Sequence, residues 1–138
     1  MTEEFRTFRD LECWQVCREL RLFVAKQLLP ALPGEERYRL GDQVIRSARS
    51  TTANIAEGYG RYHYLDNAKF CCNARASAYE TLDHLITALD EEMITPELFR
   101  DGERFVEKSV RLLNGYISYL QRTAKGIKVK KTSNKTNL

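Results

Sequence analysis

At 138 residues, 43% hydrophobic and 30% charged, the chain has the size and composition of one globular domain with its own core. Its apolar runs fall well short of the roughly 20 residues that span a bilayer, which excludes a membrane-crossing helix. Net charge is +3, but five lysines after Ala124 account for it: taking them from the 22 basic residues leaves 17 against 19 acids.

Only 3 prolines and 7 glycines punctuate the chain, so long helices can run without interruption. The opening Met1-Thr2-Glu3-Glu4-Phe5-Arg6 is charged and carries no apolar signal segment, so a cytoplasmic location is expected. Residues 7 to 29 read as a first helix. Phe8, Leu11, Trp14, Cys17, Leu20, Val24 and Leu28 recur at three- and four-residue steps, one stripe of a 3.6-residue period. Pro30 and Pro33-Gly34 are expected to end it.

Residues 35 to 58 read as a second helix, with Leu40, Val44, Ala48, Thr51 or Thr52, and Ile55 on its apolar face. Its second half is built of small residues, Ser47 to Ala56, which let a neighbouring backbone come close. Gly41 costs roughly 1 kcal/mol against Ala in a helix interior, so a close packing partner is expected there. Gly58 or Gly60 can take the left-handed conformation that stops a helix.

Residues 59 to 65 form the connection, and Asp66 or Asn67 is expected to cap the next helix. That third helix covers residues 66 to 92 and carries Phe70, Ala74, Ser77 or Ala78, Leu82, Leu85, Ile86 and Leu89. Its first half is again small, which predicts close packing against the second helix. Glu80 and His84, one turn apart, can form a polar pair. Thr95-Pro96-Glu97 is a strong helix start, and the fourth helix runs to about Thr123 on a stripe from Leu98 to Leu120. Four amphipathic segments joined by short loops predict an all-α, antiparallel, up-down-up-down four-helix bundle over residues 1 to 124. Residues 125 to 138 form a basic tail with too few apolar residues to dock firmly.

Catalytic motifs are absent. Gly58-Tyr59-Gly60 is too short for a dinucleotide fingerprint and follows a helix, not a strand. Neither a phosphate-binding loop, a His-Glu-x-x-His pair nor a Gly-x-Ser-x-Gly elbow occurs. A di-iron bundle needs Glu-x-x-His on two helices, and Glu80-x-x-x-His84 has the wrong spacing and no second copy. Cys13, Cys17, Cys71 and Cys72 lack metal-site spacing and read as small buried hydrophobes. The expectation is a non-enzyme with no cofactor and no metal.

The connection Arg61-Tyr62-His63-Tyr64, with Lys69 after it, mixes cations with aromatic faces. Single-stranded nucleic acid is bound by that mixture, cations holding phosphates and rings stacking on bases. Arg39, Arg46 and Arg49 on the second helix, and Lys125, Lys128, Lys130 and Lys131 in the tail, complete the set of binding candidates. Each has an alternative. The tyrosines equally fit packing on a neighbouring helix or subunit, the arginines equally fit pairing with nearby acids, and a lysine tail is often only a solubilising end.

Trp14-Gln15, Leu40-x-x-Gln43-x-Ile45-Arg46-Ser47-Ala48-x-Ser50 and Asn54-Ile55-Ala56-Glu57-Gly58-x-Gly60-Arg61 resemble the four-helix-bundle proteins of the 23S rRNA intervening-sequence family. Phe70, Ala74, Ser77 and Glu80 fit the same pattern, and the resemblance covers about residues 8 to 122. Leu29-Pro30 stands where the family usually has Phe-Pro, and Ala76 where it often has Gly. The resemblance implies a bundle that assembles into a barrel-shaped homopentamer. The chain is similar also to the accessory variability proteins of diversity-generating retroelements, which bind nucleic acid and the element's reverse transcriptase. That implies an accessory role with RNA or DNA and a reverse transcriptase as partners; the alternative is a protein-interaction scaffold encoded in an rRNA intervening sequence.

Overall fold

The computed structural model describes residues 6–126, which are all-α and contain no strand. Thr7 caps a short 3-10 turn, Phe8–Asp10, in a reciprocal box: its hydroxyl accepts from the Arg9 N–H, and the Asp10 carboxylate accepts from the Thr7 N–H at 3.0 Å. Helix α1 (Glu12–Phe23) follows and widens into a π-helical stretch, Val24–Leu28, before a last turn, α2 (Leu29–Ala31). The expected first helix therefore runs past Pro30 instead of stopping at it. The widening explains why: the Leu29 N–H reaches back to the Val24 carbonyl, a longer step than an α-helix uses, and Pro30 sits where its missing N–H is not needed.

A 3-10 segment, Gly34–Tyr38, leads into α3 (Leu40–Tyr59), five residues later than the expected helix start at residue 35. Then come α4 (Tyr64–Asp90) and α5 (Pro96–Ala124). Thr95 caps α5 as its sequence predicts, its hydroxyl accepting from the Leu98 N–H at 3.1 Å. The four long helical segments pack in a closed ring, α1 on α3, α3 on α4, α4 on α5 and α5 on α1. Their apolar faces form two core regions. One gathers Leu20, Val24, Leu28, Val44, Leu85 and Val106; the other gathers Leu11, Cys13, Cys17, Ile55, Cys71, Leu113 and Ile117.

The small halves of α3 and α4 meet, as their composition predicts. The hydroxyls of Ser47 and Thr81 lie 2.7 Å apart, and those of Ser50 and Ser77 lie 2.8 Å apart. Hydroxyl pairs of this kind satisfy polar groups that close helix contact has taken from water. Gly41 has the predicted partner: a Cβ there would stand 2.9 Å from Leu29 Cδ2.

Three local expectations change. First, α3 ends without a left-handed residue. Gly60 has φ −78° and its N–H donates to the Ala56 and Glu57 carbonyls at 3.2 Å. Gly58 is needed for space instead, since a Cβ on it would lie 2.7 Å from Asn67 Oδ1 and 2.9 Å from Phe70 Cβ. The left-handed stop falls at Glu92, φ 59°, where the Met93 N–H reaches the Ala88 carbonyl at 2.8 Å and closes α4. Second, neither Asp66 nor Asn67 caps α4. The helix begins at Tyr64 and the preceding His63 makes no capping bond. Asn67 is buried, and its amide is drawn into the core. Third, Cys13, Val16 and Phe23 are buried although they lie off the stripe drawn for the first helix, while Trp14 is only half-buried against Phe8.

Candidate nucleic-acid interface

The end of the bundle where α3 stops, α4 starts and α5 stops brings together six of the nine sequence candidates that lie among the described residues: Arg61, Tyr62, His63, Tyr64, Lys69 and Lys125. Arg61 follows the last turn of α3. Its guanidinium pairs with Glu57 at 3.0 Å and lies over the Phe70 ring, 4.6 Å from its centre. That cation–π contact fixes a half-exposed charge against α4. Tyr62 is 91% exposed, and its ring stands edge-on to His63 at 4.8 Å. Tyr64 and Leu65 open α4 with 47% and 59% of their surface exposed. Lys69, one turn on, is exposed and has no side-chain partner among the described residues.

Two clefts flank this connection. One lies between Tyr62, His63, Tyr64, Leu65 and Asp66 on one side and Thr123 and Ala124 on the other. Thr123 Oγ1 is buried with no hydrogen-bond partner. The chain thus leaves α5, at Lys125, beside the aromatic connection. The second cleft, of about 450 Å³, is lined by Arg6, Thr7, Asp10 and Leu11, by Tyr59, Arg61, Tyr64 and Asn67, and by Tyr116, Tyr119 and Leu120 of α5. Tyr116 is buried; its hydroxyl accepts from Asn67 Nδ2 at 3.1 Å, and its ring stacks on Tyr119. Burial pushes its pKa upward, against the smaller lowering by the Asn67 bond, so the phenol keeps its proton.

The other arginine candidates stand elsewhere. Arg39 sits before α3, at the far end of that helix from Arg61, within 3.7 Å of Glu36. Arg46 pairs with Asp42 one turn back, at 2.7 Å. Both arginines are exposed, although Glu36 is half-buried, and exposed pairs of this kind are worth about 0–1 kcal/mol. Arg49 is exposed and its side chain has no partner among the described residues. The Glu80–His84 pair forms as expected, at 3.3 Å. Lys125 closes α5, whereas Lys128, Lys130 and Lys131 lie outside the described residues.

Arg6, Tyr59, Phe70, Tyr116 and Tyr119 were not singled out as candidates by the sequence reading. Their link to the Arg61–Tyr64 connection is topological: residues near 6–11, 59–67 and 116–124 share one end only after the four helices are folded against each other.

Cys13, Cys17 and Cys71 are buried in the core below this end, and Cys72 is half-buried. Desolvation pushes the Cys17 thiol up to about 11 and the Cys71 thiol to about 12, and raises Cys13 as well. These thiols are protonated at neutral pH and behave as packing groups. Among the described residues no group of three or more His, Cys, Asp or Glu side chains is arranged to hold a metal ion, and no helix is long and apolar enough to cross a membrane.

The family model described as 23S rRNA-intervening sequence protein matches residues 9–115, from the first turn into α5. No curated protein matches the chain.

Proposed function

We propose, for a chain that belongs to the family of 23S rRNA-intervening sequence proteins, a non-catalytic role in binding RNA or DNA through the Arg61–Tyr64 end of the bundle. The observation that carries this reading is the convergence at one end of a cation held against an aromatic ring, exposed tyrosine faces and the end of α5 at Lys125. Cations there contact phosphates while the rings offer stacking surfaces to bases. Arg46 and Arg39, which lie away from this end of the bundle, contribute less than Arg61, Lys69 and Lys125.

In this reading the bundle is antiparallel, up-down-up-down. Support comes from the order of cross-helix pairs: Ser47 with Thr81 and Ser50 with Ser77, then Asn67 with Tyr116 and Arg75 with Asn114, ascending on one helix as they descend on the next. The bundle assembles into a homopentamer in the cytoplasm, and a reverse transcriptase is the proposed protein partner. The resemblance to the 23S rRNA intervening-sequence family, carried in part by the Asn54–Arg61 block, motivates the assembly, and the similarity to retroelement accessory proteins motivates the partner.

A second reading has its own observation. The outer face of α4 exposes Tyr79 (55%) and Ile86 (40%), with Ala76 on the same face. Such a face suits a protein contact, so self-assembly and scaffolding without nucleic acid form the alternative. Fluorescence anisotropy with a labelled RNA at about 50 mM salt separates the two, because phosphate contacts are strong in that regime and weaken steeply as salt rises. Salt-sensitive binding supports the first reading; its absence leaves the scaffold.

A further inference from the structure

We propose that the cleft between Tyr59, Tyr64 and Tyr116 takes up a single unpaired nucleotide, so that the protein distinguishes bulged or single-stranded nucleic acid from a continuous duplex. The inference rests on the nucleic-acid reading above and specifies what that end recognises.

The cleft is concave and about 450 Å³ in volume, inside the range of about 300–1,000 Å³ for small-ligand pockets. A hollow of that size admits one base with its sugar, and a stacked, paired base cannot enter it without leaving its duplex. Four tyrosines and two arginines line it, and Tyr59 (37%) and Tyr64 (47%) present accessible faces. Arg61 and Arg6 lie among the lining groups, placed to meet a phosphate.

The strongest pointer to a ligand is Tyr116. Only 5% of its surface is accessible, yet it lines the cleft. Its hydroxyl oxygen is occupied as an acceptor by Asn67, whose own Oδ1 accepts from the Cys71 thiol at 3.5 Å. The hydroxyl makes no donated bond among the described residues, so its proton is available to a carbonyl or ring nitrogen on a base edge. Asn67 occupies the space that a side chain at Gly58 would need, and its amide holds the Tyr116 hydroxyl.

The test uses the full chain and two fluorescein-labelled RNA hairpins, each closed by an oligoethylene-glycol linker in place of a nucleotide loop, that differ only in one bulged nucleotide, at about 50 mM salt. The bulged hairpin should bind about tenfold more tightly. Tyr64→Ala should abolish that difference by weakening the bulged hairpin more than the paired one. Tyr64→Phe, which keeps the ring, should preserve it. Equal affinity of the wild-type chain for both hairpins overturns this inference but leaves nucleic-acid binding standing. Equal weakening of both hairpins by Tyr64→Ala also overturns it. Failure of either hairpin to bind removes this inference together with the functional reading.

Discussion

Gly58 of α3 and Asn67 of α4 touch so closely that a single added carbon would collide: a Cβ on Gly58 would stand 2.7 Å from Asn67 Oδ1. Asn67 passes that constraint across the bundle through its bond to Tyr116 of α5. Three helices are thereby fixed to one another beneath the candidate interface. Gly58→Ala forces a shift of Asn67 or of the α3–α4 spacing, an overpacking effect of about 1–3 kcal/mol. Chemical denaturation should show this loss. Gly60→Ala is the control, because its Cβ would meet nothing closer than 3.6 Å.

Glu92 holds a left-handed conformation that a Cβ disfavours, at the end of a helix whose last turns already carry Asp90 and Glu91. Glu92→Gly relieves the backbone conflict and removes a negative charge from the negative pole of α4. It should raise stability by about 1 kcal/mol, read as a higher melting temperature.

The thiols give a pH signature. Cys17 and Cys71 have folded pKa values raised from 9.0 to about 11 and about 12 by burial. The folded state therefore holds these protons more tightly than the unfolded chain does. The resulting stability is fully present below the unfolded pKa near 9.0 and is lost as pH rises through 11 to 12. Melting temperature should fall over that window, and less so in Cys71→Ala measured against its own value at pH 7. A thiol reagent at pH 8 should modify Cys72 first and the three buried cysteines only on unfolding.

Arg61 separates stability from binding. Its pair with Glu57 is half-exposed, so Arg61→Gln should change stability by less than about 1 kcal/mol. The same change should weaken RNA binding several-fold and reduce its salt dependence. Arg46→Gln, which removes a charge away from that end of the bundle, should have a much smaller effect on binding.

The helical architecture was legible because it rests on local rules. Thr95-Pro96-Glu97 starts α5 where its chemistry demands, and the small residues from Ser47 onward foretell the hydroxyl contacts with α4. What the sequence concealed depends on tertiary space. A glycine reads as a possible left-handed stop, but Gly58 serves close approach, and the left-handed residue that closes α4 is a glutamate in a stretch with no glycine signal. Pro30 reads as a terminator, yet a π-helical turn absorbs it. Off-stripe burial of Cys13 and Val16 follows from α1 packing against both α3 and α5, which widens its buried face. Of the interface, the contiguous run Arg61–Tyr64 was visible in the sequence. The contributions of Tyr116, Tyr119 and Arg6 were not, because no sequence spacing links residues about 50 to 110 positions apart until the helices pack.

The measurement closest to the central claim is anisotropy of a labelled single-stranded RNA titrated with the full chain at about 50 and about 200 mM salt. It compares the wild type with a Tyr62→Ala/Tyr64→Ala double variant at exposed positions, so the fold is left intact. The account predicts binding at low salt that weakens steeply at high salt, and a loss of about tenfold or more in the double variant. Binding that is absent at low salt, or that is the same in both proteins, contradicts it.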